Sequence, residues 1–338
     1  MVGKKHLISL SKSLGLISFL LIITLFLNAC SSVSSDNSQY VVSIGISQIV
    51  EHPALDSARA GFVDALKEKG YEEGKTLKLD TQFAQGDIGL TTTIAQNFVS
   101  QKKDLILAIS TPSAQSAYNS TKDIPVLFTA VTDPVYAGLV KNSDAPEGNI
   151  TGTSDLSPID KQLELGKTLV PNAHKVGVLY NTSEVNSQLQ VDIAKEAAKD
   201  MDMAIIEIPV TNTTEIEPAL NAKIKDIDFL FLPTDNLVAS SIPIIAKIAT
   251  NNNVAIIGSE KAHVYGGALA CEGVDYYKLG HQTGIMAAEI LEGRNIKDIP
   301  VSILKETELI INEKAANQLG INIPEEMVKR ATLVKGAE

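Results

Sequence analysis

Short apolar runs alternate with amphipathic helical stretches twice along this chain, and that alternation constrains the fold more than any other feature. In the first run, residues 40–46 read as a strand, 54–70 as a helix, 77–83 as a strand and 88–101 as a helix. Residues 105–109 then read as a strand, 113–120 as a short helix and 126–130 as a strand. The helix at 54–70 shows the pattern most clearly, with Leu55, Ala58, Phe62, Ala65 and Leu66 on one face and Gly70 as its stop. The second run repeats the order: strand 175–180, helix 183–200, strand 204–209, helix 215–224, strand 229–232, helix 242–251 and strand 254–257. Helices of this length between short buried strands imply parallel sheets covered on both faces. The expected fold is α/β, with two similar doubly wound parallel-sheet lobes. Further on, 268–273 and 308–311 read as strands, and 276–292, 313–319 and 325–330 as helices. If the chain returns to the first lobe at 268, the lobes are 40–152 plus 268–304 and 153–267 plus 305–335. A hinge of three crossings joins them.

The N-terminus has a different character. Lys4, Lys5 and Lys12 precede an apolar stretch at 14–27, shorter than the ~20 residues a spanning helix needs but suited to the core of a secretory signal. It ends in Leu27-Asn28-Ala29-Cys30, which resembles the bacterial lipobox, where cleavage leaves the cysteine to be lipidated. The expectation is a lipoprotein signal peptide at 1–29, with Cys30 as the lipid attachment site. The alternative is an uncleaved anchor helix with a chance cysteine. Residues 30–39 are Ser/Asn/Asp-rich without periodicity and read as a flexible tether. Loss of 1–29 removes three lysines and no acid, taking the net charge from −11 to −14. Such a balance argues against a nucleic-acid partner. Cys271 is the only other cysteine, so no disulfide framework is possible, and its run of small apolar neighbours reads as core.

The chemistry concentrates where strands end. Polar clusters follow at Ser47-Gln48 with Glu51-His52, at Ser110-Thr-Pro-Ser113, and at Thr129-Ala-Val-Thr132-Asp133. Others follow at Tyr180-Asn181-Thr182, at Leu232-Pro-Thr-Asp235-Asn236, and at Gly258-Ser259-Glu260. In open α/β sheets ligands sit outside the carboxyl ends of the strands. Thr111-Pro112 has the form of a helix start, with Thr111 as N-cap, whose free N–H groups and the Ser113 hydroxyl can receive a carboxylate. Asp235 and Glu260 are candidate partners for an ammonium group, although Asp235 also reads as an N-cap and Glu260 as a solvated acid. Asp133 reads as a plain cap and His52 as a polar loop residue. Tyr136, Tyr180 and Phe128 are candidates for an aromatic wall, with core packing the competing reading for Phe128. No G-x-S-x-G, H-E-x-x-H, phosphate-loop or dinucleotide motif occurs, and the five histidines lack zinc-ligand spacing. Neither an enzyme, a metal nor a cofactor is expected.

Several stretches resemble one family of proteins. They include Gly61-Phe62, Ile109-Ser-Thr-Pro112, Phe128-Thr-Ala-Val-Thr-Asp-Pro134, Asn149-Ile-Thr-Gly-Thr153 and Leu232-Pro-Thr-Asp-Asn236. Gly266-Gly-Ala-Leu-Ala270, Leu279-Gly280, Asn312, Ala315-Ala316 and Leu319-Gly320 extend the likeness to the C-terminus. Together they resemble the substrate-binding proteins of ABC importers of the tryptophan/tyrosine type, which have the type I periplasmic-binding-protein-like fold. The resemblance implies a monomeric extracytoplasmic protein that closes on a small solute, an aromatic or other apolar amino acid, and delivers it to a membrane permease and its ATPase. It implies a ligand carboxylate held by Ser110, Thr111, Ser113, Thr129 and Thr132, an ammonium met by Asp235, and Asn181 and Asn236 as neighbours; Gln48 and Glu260, from their own strand ends, join them as candidate ligand-binding residues. A solute sensor for a membrane receptor and a surface hydrolase on the same scaffold remain alternatives.

Overall fold

A computed structural model describes residues 40–335. The expected signal peptide, Cys30 and the expected tether at 30–39 lie outside the described residues. In chain order the strands are β1 Val42–Gln48, β2 Leu77–Phe83, β3 Leu105–Ile109, β4 Val126–Val131, β5 Ile150–Ser154, β6 Lys175–Asn181 and β7 Ala204–Val210. They continue with β8 Phe229–Leu232, β9 Ala255–Gly258, β10 Ala270–Gly273, β11 Ser302–Ile303, β12 Glu308–Asn312 and β13 Thr332–Val334. The α-helices are α1 Pro53–Glu68, α2 Ile88–Ser100, α3 Thr111–Ser120, α4 Ile159–Leu169, α5 Val185–Lys199 and α6 Ile216–Lys223. The remaining six are α7 Asn236–Ser240, α8 Ile242–Asn251, α9 Lys261–Tyr265, α10 Tyr276–Leu291, α11 Glu313–Leu319 and α12 Glu325–Arg330.

The strands form two sheets, in the orders β11-β5-β4-β3-β1-β2 and β13-β12-β10-β9-β8-β6-β7. Every pairing in the first sheet is parallel; in the second only β10 and β12 run antiparallel. The central strands are buried on both faces, as the unbroken apolar sequences of β3 and β8 require. Both sheets begin with the same winding, β2-β1-β3-β4 in one and β7-β6-β8-β9 in the other. This is the two-lobed, doubly wound architecture that the alternation implies.

The return to the first lobe lies later than residue 268. Strand β10 pairs in register with β9 (Ala270↔Ile257) and with β12 (Ala270↔Ile311), so it is a strand of the second sheet. Ala268, Leu269, Ala270 and Cys271 pack into the second lobe's cores, whereas Val274, Tyr276 and Leu279 pack into the first. Cys271 is buried there as a free thiol. The first lobe also extends past residue 152, because Ile150–Ser154 is strand β5, hydrogen-bonded between β4 and β11. The three crossings are therefore 155–158, 274–275 and 304–307.

Helix α10 fastens the returning segment. It lies against α1 at backbone contact distance, which glycine makes possible. A Cβ on Gly280 would stand 1.7 Å from the Ala58 carbonyl oxygen, and one on Gly61 would stand 2.1 Å from that of Tyr277. Asp275 caps the start of α10 by accepting the N–H groups of Tyr277 (2.8 Å) and Lys278 (3.1 Å). The cap sets Tyr276 at the junction between the lobes.

Candidate ligand-binding site at the lobe junction

The carboxyl edges of the two sheets face one another, and the cavity between them is enclosed by both lobes. His52, Leu55, Ala130 and Thr132 line it from the first lobe. Asn186, Thr234, Asp235, Asn236, Ala239 and Glu260 line it from the second. Asp155, in the first crossing, and Tyr276, just after the second, complete the wall. The enclosed space is about 10 Å³, room for one water molecule. A hydroxyl contact of 3.4 Å between Thr132 and Thr234 bridges the lobes. The lobes are thus closed, and a solute enters only when they separate.

Four of the residues expected from sequence meet in this wall: Thr132, Asp235, Asn236 and Glu260. Asp235 is both a wall residue and an N-cap. Its Oδ2 accepts the Asn181 N–H at 2.6 Å and its Oδ1 accepts the Val238 N–H at 2.9 Å, so both oxygens are engaged by backbone. Behind it, Glu184 accepts from the Asn181 (3.2 Å), Asn186 (3.2 Å) and Asn236 side-chain amides. Burial pushes the Asp235 carboxyl upward, and burial together with the Asp235 charge takes Glu184 to about 7.

Ser110, Thr111 and Ser113 do not line the cavity but adjoin it at the same sheet edge. The Ser110 N–H donates to Thr129 O at 3.0 Å, one residue from the cavity-lining Ala130. The N-cap of α3 is Ser110, not Thr111, which lies inside the first turn with Pro112. Ser110 holds φ at 89° and Ala130 at 56°, values that non-glycine residues avoid, so both strand ends are strained where they approach the junction. The hydroxyls of Ser110, Thr111 and Ser113 are buried and make no hydrogen bond.

Gln48, Thr129 and Asn181 lie outside the cavity, each tied to neighbours. Gln48 Nε2 donates to Val50 O (2.8 Å) and Asp56 Oδ1 (3.0 Å); Thr129 accepts from Thr153 at 3.0 Å; Asn181 orients Asp235 and Ser183. The aromatic wall is also different. Phe128 is core, Tyr180 donates to Glu207 at 2.8 Å, and Tyr136 is exposed; the aromatic side chain in the cavity is Tyr276. Asp133 caps its turn through the Val135 and Tyr136 N–H groups, at 2.8 and 2.9 Å.

Sequence reasoning passed over Asp155 and Tyr276 and read His52 as a polar loop residue; all three line the cavity. Asp155 and Tyr276 flank crossings, and only a boundary placed at 155 and 274 would have drawn attention to them. The Tyr276 hydroxyl donates to Asp155 Oδ2 at 2.6 Å, leaving Asp155 Oδ1 buried without a partner. Glu260 Oε1 is also buried without a hydrogen bond, with His263 Nε2 at 3.5 Å and His52 Nδ1 at 4.0 Å. Burial, reinforced by the Asp155 charge, raises Glu260 to about 8, and burial raises Asp155 as well. It depresses His52 to about 4 and His263 to about 3, so both imidazoles are neutral at pH 7. The wall therefore holds three carboxyl groups and no lysine or arginine. Among the described residues no group of three or more His, Cys, Asp or Glu side chains could hold a metal ion.

A two-lobed α/β protein closed over a polar cavity at its strand ends is a solute-binding protein. The family model described as ABC transporter substrate binding protein matches residues 43–335, and the chain belongs to that family. It works as an extracytoplasmic substrate-binding protein of ABC transport. A tyrosine-binding protein of Clostridioides difficile (strain R20291) is 53% identical over 292 residues, covering 86% of this chain and 85% of the relative. A structure of a Streptococcus domain in complex with L-Trp superposes with a TM-score of 0.84 at 37% identity, covering 87% of this chain and 99% of that one. The ligand-free, open structure of a Clostridium difficile substrate-binding protein with adhesive properties is 49% identical, over 88% and 100% of the two chains, yet its TM-score is 0.67. The ligand-free, open structure, though nearer in sequence, superposes less well on this chain than the L-Trp complex does.

Proposed function

We propose that this protein captures a free aromatic amino acid, tyrosine first among them, between its lobes and presents it to the permease and ATPase of an importer. In this reading a lipid on Cys30 tethers the protein to the outer face of the cell membrane. The observation that carries the assignment is the polarity of the junction. Three buried carboxyl groups stand in the wall with no cationic side chain beside them, while three orphaned hydroxyls lie at the start of α3 on the opposite lobe. A zwitterion complements both. Its carboxylate fits Ser110, Thr111, Ser113 and the first-turn N–H groups of α3. Its ammonium fits the acidic wall, whose charge is otherwise uncompensated.

Leu55, Ala130 and Ala239 supply apolar contact and Tyr276 an aromatic face for the ligand side chain. The 53% relative named for tyrosine and the L-Trp complex support an aromatic class. Isothermal titration against the twenty amino acids tests the reading. The expected result is binding of tyrosine far tighter than ~1 mM, about −4 kcal/mol. No amino acid binding tighter than that would reject it. The tether is tested separately: a Cys30→Ser chain should be shed into the medium, where the parent stays with the membrane.

A further inference from the structure

We infer that Asp155 and Glu260, which line the same cavity beside Tyr276, form the ammonium subsite, and that an amino acid entering it displaces one proton from this pair. The inference rests on the amino-acid reading above and names the groups that meet the ligand's cation. Of the acids at the junction, Asp235 has both oxygens on backbone N–H groups and Glu184 is surrounded by three amide side chains. In both, each oxygen already accepts a hydrogen bond from the second lobe itself. Asp155 Oδ1 and Glu260 Oε1 are the carboxyl oxygens in this wall that are buried and unpartnered, on residues 3% and 2% exposed.

The groups around the pair leave no other source of positive charge. His263 Nδ1 accepts from the Ser259 N–H at 3.3 Å, so its proton sits on Nε2, toward Glu260, and the ring is neutral. His52, with Asp56 on its own helix turn, is neutral as well. The Cys271 thiol and the Tyr276 phenol are pushed upward by burial and stay protonated. Lys261 is exposed to solvent. Two carboxyl groups in one water-poor cavity without a cation hold a proton between them, since ionising both would place two like charges in low dielectric. Burial and the Asp155 charge, which together raise Glu260 to about 8, express the same balance.

An ammonium supplies the missing charge. The protonated pair and the zwitterion then yield a complex with both carboxyl groups ionised, and one proton goes to solvent. The placement also ties capture to closure. Asp155 lies in the first crossing, Tyr276 follows the second, and Glu260 precedes α9 of the second lobe, so one ammonium joins the hinge to a lobe.

The test is titration of the full soluble chain with L-tyrosine at pH 7 in two buffers of different ionisation enthalpy. Near one proton released per tyrosine is expected, with affinity rising about tenfold per pH unit between 6 and 7 and levelling above about 8. Glu260→Gln should bind tyrosine more weakly, with the proton release gone. Tyrosine binding in the parent with no buffer dependence overturns the inference and leaves the amino-acid reading intact. Release that persists in both Glu260→Gln and Asp155→Asn also overturns it. No binding heat from any amino acid overturns the reading beneath it, and the inference falls with that reading.

Discussion

Asp235→Ala separates a scaffold acid from a ligand acid, and the magnitudes follow from its two bonds. The substitution removes the N-cap of α7, a loss of about 1 kcal/mol. It also leaves the Asn181 N–H, now bonded at 2.6 Å, buried without an acceptor, a further cost of about 1–3 kcal/mol. One effect runs the other way: Glu184 is raised to about 7 partly by the Asp235 charge, and loses that repulsion. The expected destabilisation therefore sits near the low end, about 2 kcal/mol. Urea unfolding of the ligand-free protein at pH 7 reads it, and Asp235→Ser, which keeps a capping oxygen, should recover about half. Tyrosine affinity should fall by less than about tenfold, because the ammonium is held elsewhere. Unchanged stability with a hundredfold loss of affinity would make Asp235 the ammonium partner and refute this division of labour.

The stability of the ligand-free protein should fall as pH rises from 6.5 to about 8, because unfolded Glu184 and Glu260 are ionised there while the native groups give up their protons only near 7 and 8. Between 6.5 and 4.5 the profile should be shallow: the protons that unfolded His52 and His263 take up are offset by those that native Glu184 and Glu260 retain. Melting temperatures across pH 4–9 measure both limbs, and Glu260→Gln should lessen the alkaline fall; a parent profile flat from 6.5 to 8 contradicts this. Gly280→Ala should destabilise the first lobe by about 2 kcal/mol or more, because a Cβ 1.7 Å from Ala58 O forces α10 away from α1. Denaturant melts followed by protection of α1 amides would show it. Cys271, buried at 1% exposure with its thiol pushed upward, should react with a thiol reagent only on unfolding; rapid labelling of the native protein would contradict its place in the core.

How far these features were readable from sequence depended on whether the signal was local. The alternation around β1 to β4 and β6 to β9 is a periodicity of neighbouring residues, and the two windings follow from it. Strand β5, Ile150-Thr-Gly-Thr-Ser154, alternates with polar residues because Thr151 and Thr153 hydrogen-bond inward, Thr151 to Ile299 O at 2.8 Å. Its polarity hid a buried strand. Strand β10 was recognisable, but which sheet takes it depends on its pairing with β9 and β12, which no local pattern reveals. That single choice moved the hinge boundary from 268 to 274 and with it the meaning of Tyr276. Among site residues, Thr132, Asp235, Asn236 and Glu260 follow strands and announce themselves. Asp155 and His52 sit in connections, and their significance comes only from partners distant in sequence, Tyr276 for the one and Glu260 for the other.

The same orphaned groups bear on how the protein opens. In the closed arrangement Asp155 Oδ1, Glu260 Oε1, the ring nitrogens of His52 and the hydroxyls of Ser110, Thr111 and Ser113 are buried without partners. Each such group costs about 1–3 kcal/mol relative to its hydrated state. Against that, the described direct hydrogen bond between cavity walls is one contact of 3.4 Å between Thr132 and Thr234, at the long end of the range. On these groups alone, closure without a solute is uphill by several kcal/mol. A zwitterion held between the lobes, at a separation wide enough to admit it, satisfies these groups and shifts the balance by its differential affinity. Discrimination follows from the same balance: a ligand lacking either the ammonium or the carboxylate leaves one set of groups orphaned, so it binds without closing the lobes.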